Sequence, residues 1–65
     1  MKKTPKYGTV VQAKKDIIVG TTVIPQNSVG TVVYREEKGD TEVNVDWGFV
    51  VAWVDIKDIR KYDQN

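Results

Sequence analysis

The chain has 65 residues, with ten basic and nine acidic side chains, a net charge of +1, and neither cysteine nor histidine. So short a chain buries only about 60% of its unfolded surface, which limits it to one domain with one small core. Without cysteine no disulfide can support that core, and the near-zero net charge gives no reason to expect a nucleic-acid or membrane partner.

The two ends of the sequence predict short tails around a single domain. No apolar stretch approaches the ~18 residues of a membrane helix. The basic start MKKTPK is not followed by the apolar run of a signal peptide. We therefore expect a soluble, cytoplasmic protein with a basic tail at 1–8, a folded domain at 9–62 and a short tail at 63–65.

β-Branched residues recur with a period of two between turn residues, which is typical of an all-β meander. We predict a first strand at 9–14, followed by a long irregular excursion over 16–29. Four more strands are predicted at 31–36, 41–45, 49–54 and 60–62.

Three turn signals separate these predicted strands. In IPQNS (24–28), Pro25 is expected at position i+1 of a β-turn, where its ring fixes φ. Gly30 is expected to give the backbone a wider choice of φ just before the second strand. In EKGDT (37–41), Gly39 is expected to take a positive φ. The third turn is predicted at Gly48.

The segment VDIKDI (54–59) places Ile56 and Ile59 three residues apart, which suits one turn of 3₁₀ helix with both side chains buried. With IPQNSVGTVV (24–33) and VNVDWG (43–48), this order of elements resembles the SH3-like small barrels. They occur in short bacterial and phage proteins, in KOW-type modules and in the small stromal subunit of photosystem I. The resemblance implies a single five-stranded SH3-like barrel with a long first loop and one 3₁₀ turn before the last strand. It implies no particular activity.

The hairpin around Gly48 can pair in two registers, and a slip of one residue exchanges its faces. A two-residue loop of Trp47 and Gly48 needs a positive φ at Trp47, which strains a bulky residue. A three-residue loop starting at Asp46 puts only the glycine in the left-handed region, so we predict that loop, with Val45 opposite Phe49. One face is then expected to bury Val43, Val45, Phe49, Val51 and Trp53, and the other to carry Glu42, Asn44, Val50 and Ala52.

In this register Trp47 lies at the tip of the hairpin, either folded back as a lid over the barrel end or displayed for a partner. The displayed ring leads to our first hypothesis, a non-catalytic protein-interaction module such as an adaptor, an accessory subunit or a small regulatory or inhibitory protein. Its predicted binding residues are Trp47, Asp46, Val50, Ala52 and Asn44.

Basic residues concentrate near the two ends of the chain, and in an SH3-like barrel the first and last strands lie side by side. The predicted basic stripe comprises Lys14, Lys15, Lys57, Arg60 and Lys61. It indicates either a nucleic-acid-binding domain that contacts phosphates or an ordinary solvated edge, where lysine discourages strand pairing. Self-association through an outer apolar strip or an unpaired strand edge is a third possibility, so we expect a monomer or a weak homo-oligomer.

Catalytic and metal sites are not expected. Histidine and cysteine supply the usual general base, soft nucleophile and transition-metal ligands, and both are missing. The acidic series from Asp40 to Asp46 alternates with Thr41, Val43 and Val45, as in a half-buried strand, and lacks the glycine of a calcium loop. The sequence therefore predicts no catalytic residue, no metal and no cofactor.

Overall fold

The computed structural model describes residues 4–34 and 41–63, which form β-strands and a single turn of 3₁₀ helix. The strands are β1 (Val10–Ala13), β2 (Ile17–Val19), β3 (Thr22–Ile24), β4 (Val29–Tyr34), β5 (Glu42–Asp46), β6 (Val51–Asp55) and β7 (Ile59–Lys61). The 3₁₀ turn (Ile56–Asp58) precedes β7. The all-β prediction is confirmed, and each predicted strand overlaps an observed one. The end of the predicted second strand, 35–36, and the turn at Gly39 lie outside the described residues.

Five strands form one antiparallel sheet in the order β6-β5-β4-β1-β7, and β2 and β3 form a separate two-stranded sheet. β1 pairs with both β4 and β7, so the first and last strands are neighbours, as the sequence predicts. No pairing joins the edge strands β6 and β7 within the described part of the chain. The predicted closed barrel is therefore not found, although β2 approaches β6.

A single apolar core lies between the five-stranded sheet and the β2–β3 hairpin. Alternate residues of β1, β4, β5 and β6 point into it, because successive side chains of a strand face opposite sides of the sheet. The 3₁₀ turn contributes Ile56, and Ile59 follows it into the core, as predicted. The other buried members are Val11, Ala13, Ile17, Ile24, Val32, Val43, Val45, Trp47, Ala52 and Val54.

The segment 16–29, predicted to be irregular, contains the β2–β3 hairpin. Ile17 pairs with Ile24 and Ile18 with Val23. The two loop residues are Gly20 and Thr21, with φ of 62° at Gly20, as a type II′ turn requires at its first position. The prediction missed this hairpin because its strands are only three residues long, too short to show an alternating pattern.

The turn after β3 is confirmed, but Pro25 is residue i of this β-turn and not residue i+1 as predicted. The Ser28 N–H donates to the Pro25 carbonyl (3.1 Å), so Gln26 and Asn27 are the corner residues. Asn27 has a φ of 73°, a conformation that asparagine tolerates. Asp16 Oδ1 accepts a hydrogen bond from the Gln26 N–H (2.7 Å), which ties the turn to the base of the hairpin.

Part of the predicted N-terminal tail lies against the sheet. Pro5 is buried. The Gly8 N–H donates to the Val32 carbonyl (2.8 Å), and the Val32 N–H donates to the Thr9 carbonyl (2.9 Å). These contacts extend the β1–β4 pairing toward the N-terminus of the chain.

Candidate functional site on the outer face of the β5–β6 hairpin

The β5–β6 hairpin has neither of the registers considered from sequence. Val45 lies opposite Ala52 and Asp46 opposite Val51, and the Trp47 N–H donates to the Val50 carbonyl (2.8 Å). The loop is therefore Gly48 and Phe49, with φ of 95° at Gly48. A glycine in the first position of a two-residue loop suits a type II′ turn, and this loop demands no unusual conformation of Trp47. The predicted three-residue loop is wrong.

This register exchanges the predicted faces of the hairpin. Trp47 and Ala52 are buried, with only 5% and 6% of their surface exposed. Phe49 and Val51, predicted to be core residues, are 59% and 55% exposed. Trp53, also predicted to be in the core, is half-buried on the outer face. The exposed aromatic residue at the tip is therefore Phe49.

Trp47 is a lid over the core. Its ring packs against β4 at Gly30, where an added β-carbon would lie 2.8 Å from Trp47 Cε3 and 2.6 Å from Val45 Cγ1. Its indole Nε1 is buried and has no hydrogen-bond partner among the described residues. The hypothesis that Trp47 is displayed to a partner is therefore wrong, and the lid alternative is the one observed.

Two of the five predicted protein-binding residues lie on the outer face. Asp46 is exposed, and its Oδ1 accepts a hydrogen bond from the Gly48 N–H (2.8 Å). Asn44 is half-buried there, and its Oδ1 has no hydrogen-bond partner within residues 4–34 and 41–63. Trp47 and Ala52 face the core, and Val50 is half-buried and packs against it. Phe49 and Val51 were missed, although the rule that places glycine first in a type II′ loop could have found them.

We call the solvent side of this hairpin the outer hairpin face. Three cross-strand pairs form rows across this face: Glu42 lies opposite Asp55, Asn44 opposite Trp53, and Asp46 opposite Val51. On the neighbouring strand β4, Thr31 lies beside Asp46. The outer hairpin face consists of Glu42, Asn44, Asp46, Phe49, Val51, Trp53 and Asp55.

The charges of the outer hairpin face are all negative, since β5 and β6 contain no lysine or arginine. Glu42 and Asp55 form a non-hydrogen-bonded cross-strand pair, because the hydrogen bonds fall on the alternate pairs, such as Ile56 N–H to the Thr41 carbonyl. Such pairs have the closest α-carbons, about 4.5 Å apart. Lys57 Nζ lies 3.8 Å from Asp55 Oδ2 and is an exposed partner of that carboxylate.

The carboxylates of this face are spread along the strands and do not gather at one point. Across residues 4–34 and 41–63, no three acidic side chains are grouped so as to hold a metal ion. Apolar side chains lie between the acidic ones, with Val51 beside Asp46 and Trp53 in the middle row. The arrangement is that of a surface for a ligand with its own apolar and charged groups.

The five residues of the predicted basic stripe are exposed: Lys14 and Lys15 follow β1, Lys57 lies in the 3₁₀ turn, and Arg60 and Lys61 lie in β7. Arg60 lies opposite Gln12 and donates two hydrogen bonds to Gln12 Oε1, from Nε (3.1 Å) and Nη2 (3.0 Å). Lys15 Nζ lies 3.4 Å from Asp58 Oδ1. β1 and β7 thus lie side by side, and the acidic residue Asp58 lies among the cations.

The sequence matches no protein-family model and no curated protein, and no solved structure matches the chain. Within the described ranges, no helix is long and apolar enough to cross a membrane.

Proposed function

We propose that this chain is a non-catalytic protein-interaction module that docks on another protein through the outer hairpin face. The observation that carries the proposal is the pair of exposed apolar side chains at the hairpin tip, Phe49 and Val51. Aromatic residues are enriched in the centres of protein interfaces and supply much of their binding energy. An adaptor, accessory subunit or small regulatory protein needs such a surface and no catalytic group.

The rigidity of the tip supports this proposal. Directly before the loop, Trp47 is buried in the core and its N–H bonds to the Val50 carbonyl. The Asp46 carboxylate accepts the Gly48 N–H. A side chain held in place before binding loses little conformational entropy on docking, so Phe49 is well placed to act as an anchor.

We further propose that the fold is of the SH3-like type. The pairing of β1 with both β4 and β7, and the 3₁₀ turn directly before β7, support this proposal. Such a fold displays its loops from a compact sheet. It is compatible with many functions, so the proposed function depends on the outer hairpin face alone.

A photo-crosslinking experiment tests the proposed function. A benzophenone analogue of phenylalanine replaces Phe49 in one preparation and the equally accessible Tyr7 in another. Irradiation in host cells is expected to link one protein to position 49 and not to position 7. Crosslinking of the same proteins from both positions, or of none from position 49, would contradict the proposal.

A matched pair of variants then tests the interaction with the purified partner. Phe49→Ser with Val51→Ser removes the apolar tip of the outer hairpin face. Ile18→Ser with Val23→Ser removes an exposed cross-strand pair from the other hairpin. We expect the first double variant to weaken binding at least tenfold and the second to leave the dissociation constant within about twofold of the wild type.

Nucleic-acid binding through the basic stripe is the second candidate function. The pairing of β1 with β7 favours it, because this pairing brings Lys14 and Lys15 beside Asp58 of the 3₁₀ turn. Binding that depends on phosphate contacts weakens steeply as salt rises. A salt titration with single- and double-stranded oligonucleotides tests this function, and absence of binding at low salt would exclude it.

A further inference from the structure

The outer hairpin face combines one sign of charge with apolar and aromatic side chains. Glu42 and Asp55 lie directly opposite each other, and Asp46 lies nearer the tip. Directly opposed like charges destabilise a sheet. A cation brought between Glu42 and Asp55 by a ligand would be attracted by both carboxylates and would relieve that repulsion.

The spacing of the face matches an extended chain. Asp55, Trp53 and Val51 are alternate residues of β6 and so lie about 6.7 Å apart along the strand. An extended ligand also presents its alternate side chains at this interval. One running along β6 can place a cation near Asp55, an apolar group or a second cation over the Trp53 ring, and an apolar group against Val51.

We infer that the partner presents an extended segment with basic residues at one end and aliphatic residues at the other, each at every second position, and that this segment lies along the outer hairpin face. The inference rests on the proposed function and specifies the partner's chemistry. Its physical basis is charge complementarity, which orients and accelerates association between proteins. Phe49 anchors the apolar end of the segment, and the Glu42–Asp55 pair binds the cationic end.

Two synthetic peptides test this inference. The first has the sequence Arg-Ser-Arg-Ser-Leu-Ser-Leu-Ser, and the second has glutamate in place of each arginine. Each is titrated into the ¹⁵N-labelled chain while amide chemical shifts are recorded. The arginine peptide is expected to move the amide signals of β5, β6 and Phe49, with an affinity that falls as salt is added. The glutamate peptide is expected to leave them in place.

A triple variant identifies the charges responsible. Glu42→Gln, Asp46→Asn and Asp55→Asn remove the three carboxylates but keep an oxygen for the hydrogen bonds to Gly48 N–H and Lys57 N–H. The control variant carries Asp16→Asn, Asp58→Asn and Asp63→Asn. It changes the net charge by the same amount, but at residues outside the outer hairpin face. The first triple variant is expected to weaken binding of the arginine peptide about tenfold, and the control less than twofold.

Each other outcome has a defined meaning. Failure of the arginine peptide to bind, equal effects of the two triple variants, or shifts located on the basic stripe would overturn the inference. If both peptides bind equally and both lose binding in Phe49→Ser with Val51→Ser, the inferred preference for a basic ligand is overturned. The outer hairpin face would then still be the docking surface. The proposed function itself is decided by the crosslinking at position 49. Self-association seen by light scattering and lost in Phe49→Ser with Val51→Ser would also overturn the inference, because the partner would then be the chain itself.

Discussion

Gly30 lies beneath the indole ring of Trp47. A β-carbon on Gly30 would stand 2.8 Å from Trp47 Cε3 and 2.9 Å from the Asp46 carbonyl oxygen, closer than real β-carbon contacts. Gly30 is not among the glycines with positive φ, so backbone freedom, the role predicted for it from sequence, is not what the site requires. It provides the space that lets the Trp47 lid lie flat against β4.

This contact predicts that Gly30→Ala is strongly destabilising. The added methyl group meets the Asp46 backbone as well as two packed side chains, so the neighbours have little room to move away. Overpacking of this kind costs about 2 to 3 kcal/mol. Urea unfolding followed by circular dichroism measures the loss. Val29→Ala, at an exposed position of the same strand, is the control and is expected to change stability by less than about 0.5 kcal/mol.

The two aromatic residues on either side of Gly48 are predicted to behave in opposite ways. Trp47→Ala removes a buried ring from a small core and is expected to cost about 3 to 5 kcal/mol, enough to unfold much of the protein. Phe49→Ala is expected to leave the melting temperature nearly unchanged and to weaken partner binding, because Phe49 is exposed. A stable Trp47→Ala protein would show that the ring is not a lid.

The error in the predicted register has a physical explanation. Two arguments favoured a three-residue loop ending at Gly48. This loop gives the left-handed conformation to glycine alone, and it places Phe49, Val51 and Trp53 together on the inner face. The observed loop starts at Gly48 and buries Val43, Val45, Ala52 and Val54, which are smaller. Of the two rings expected in the core, Phe49 is exposed and Trp53 is half-buried, whereas Trp47 is buried. The bulk of a side chain did not indicate which face is buried.

The order of the strands and the 3₁₀ turn could be predicted, because periodic β-branched residues and the Ile56–Ile59 spacing are local signals. The β2–β3 hairpin could not be predicted in the same way. Its exposed pair, Ile18 and Val23, is as apolar as its buried pair, Ile17 and Ile24, so no alternation separates the faces. Which pair is buried depends on where the hairpin packs.

Gly48 offers a test of the turn itself. Its φ is 95° and no atom lies within 4 Å of an added β-carbon, so a substitution there changes backbone conformation and little else. Gly48→Ala is expected to cost about 1 to 2 kcal/mol, because L-residues disfavour positive φ. A chain this short can be made by chemical synthesis, and D-alanine at position 48 is expected to be neutral or stabilising by up to about 1 kcal/mol. Equal effects of the two enantiomers on thermal unfolding would contradict the assigned turn.

The last prediction concerns the opposed carboxylates of Glu42 and Asp55, because like charges directly opposite each other destabilise a sheet. Glu42→Gln keeps the size and polarity of the side chain and removes one charge of the pair. It is therefore expected to stabilise the free protein by about 0.2 to 1 kcal/mol. The gain should shrink as salt is added, since salt screens the repulsion. Thermal unfolding at low and high ionic strength measures both effects.

A double-mutant cycle isolates the pair from other effects of the substitution. In an Asp55→Asn background, Glu42→Gln should no longer raise the melting temperature, because the second charge is already gone. The same substitution is expected to weaken binding of the arginine peptide. Glu42→Gln would then raise the stability of the free protein and weaken binding. These opposite effects indicate that the Glu42 charge favours binding and disfavours folding. A Glu42→Gln variant that is no more stable than the wild type would instead mean that Lys57 already neutralises the pair.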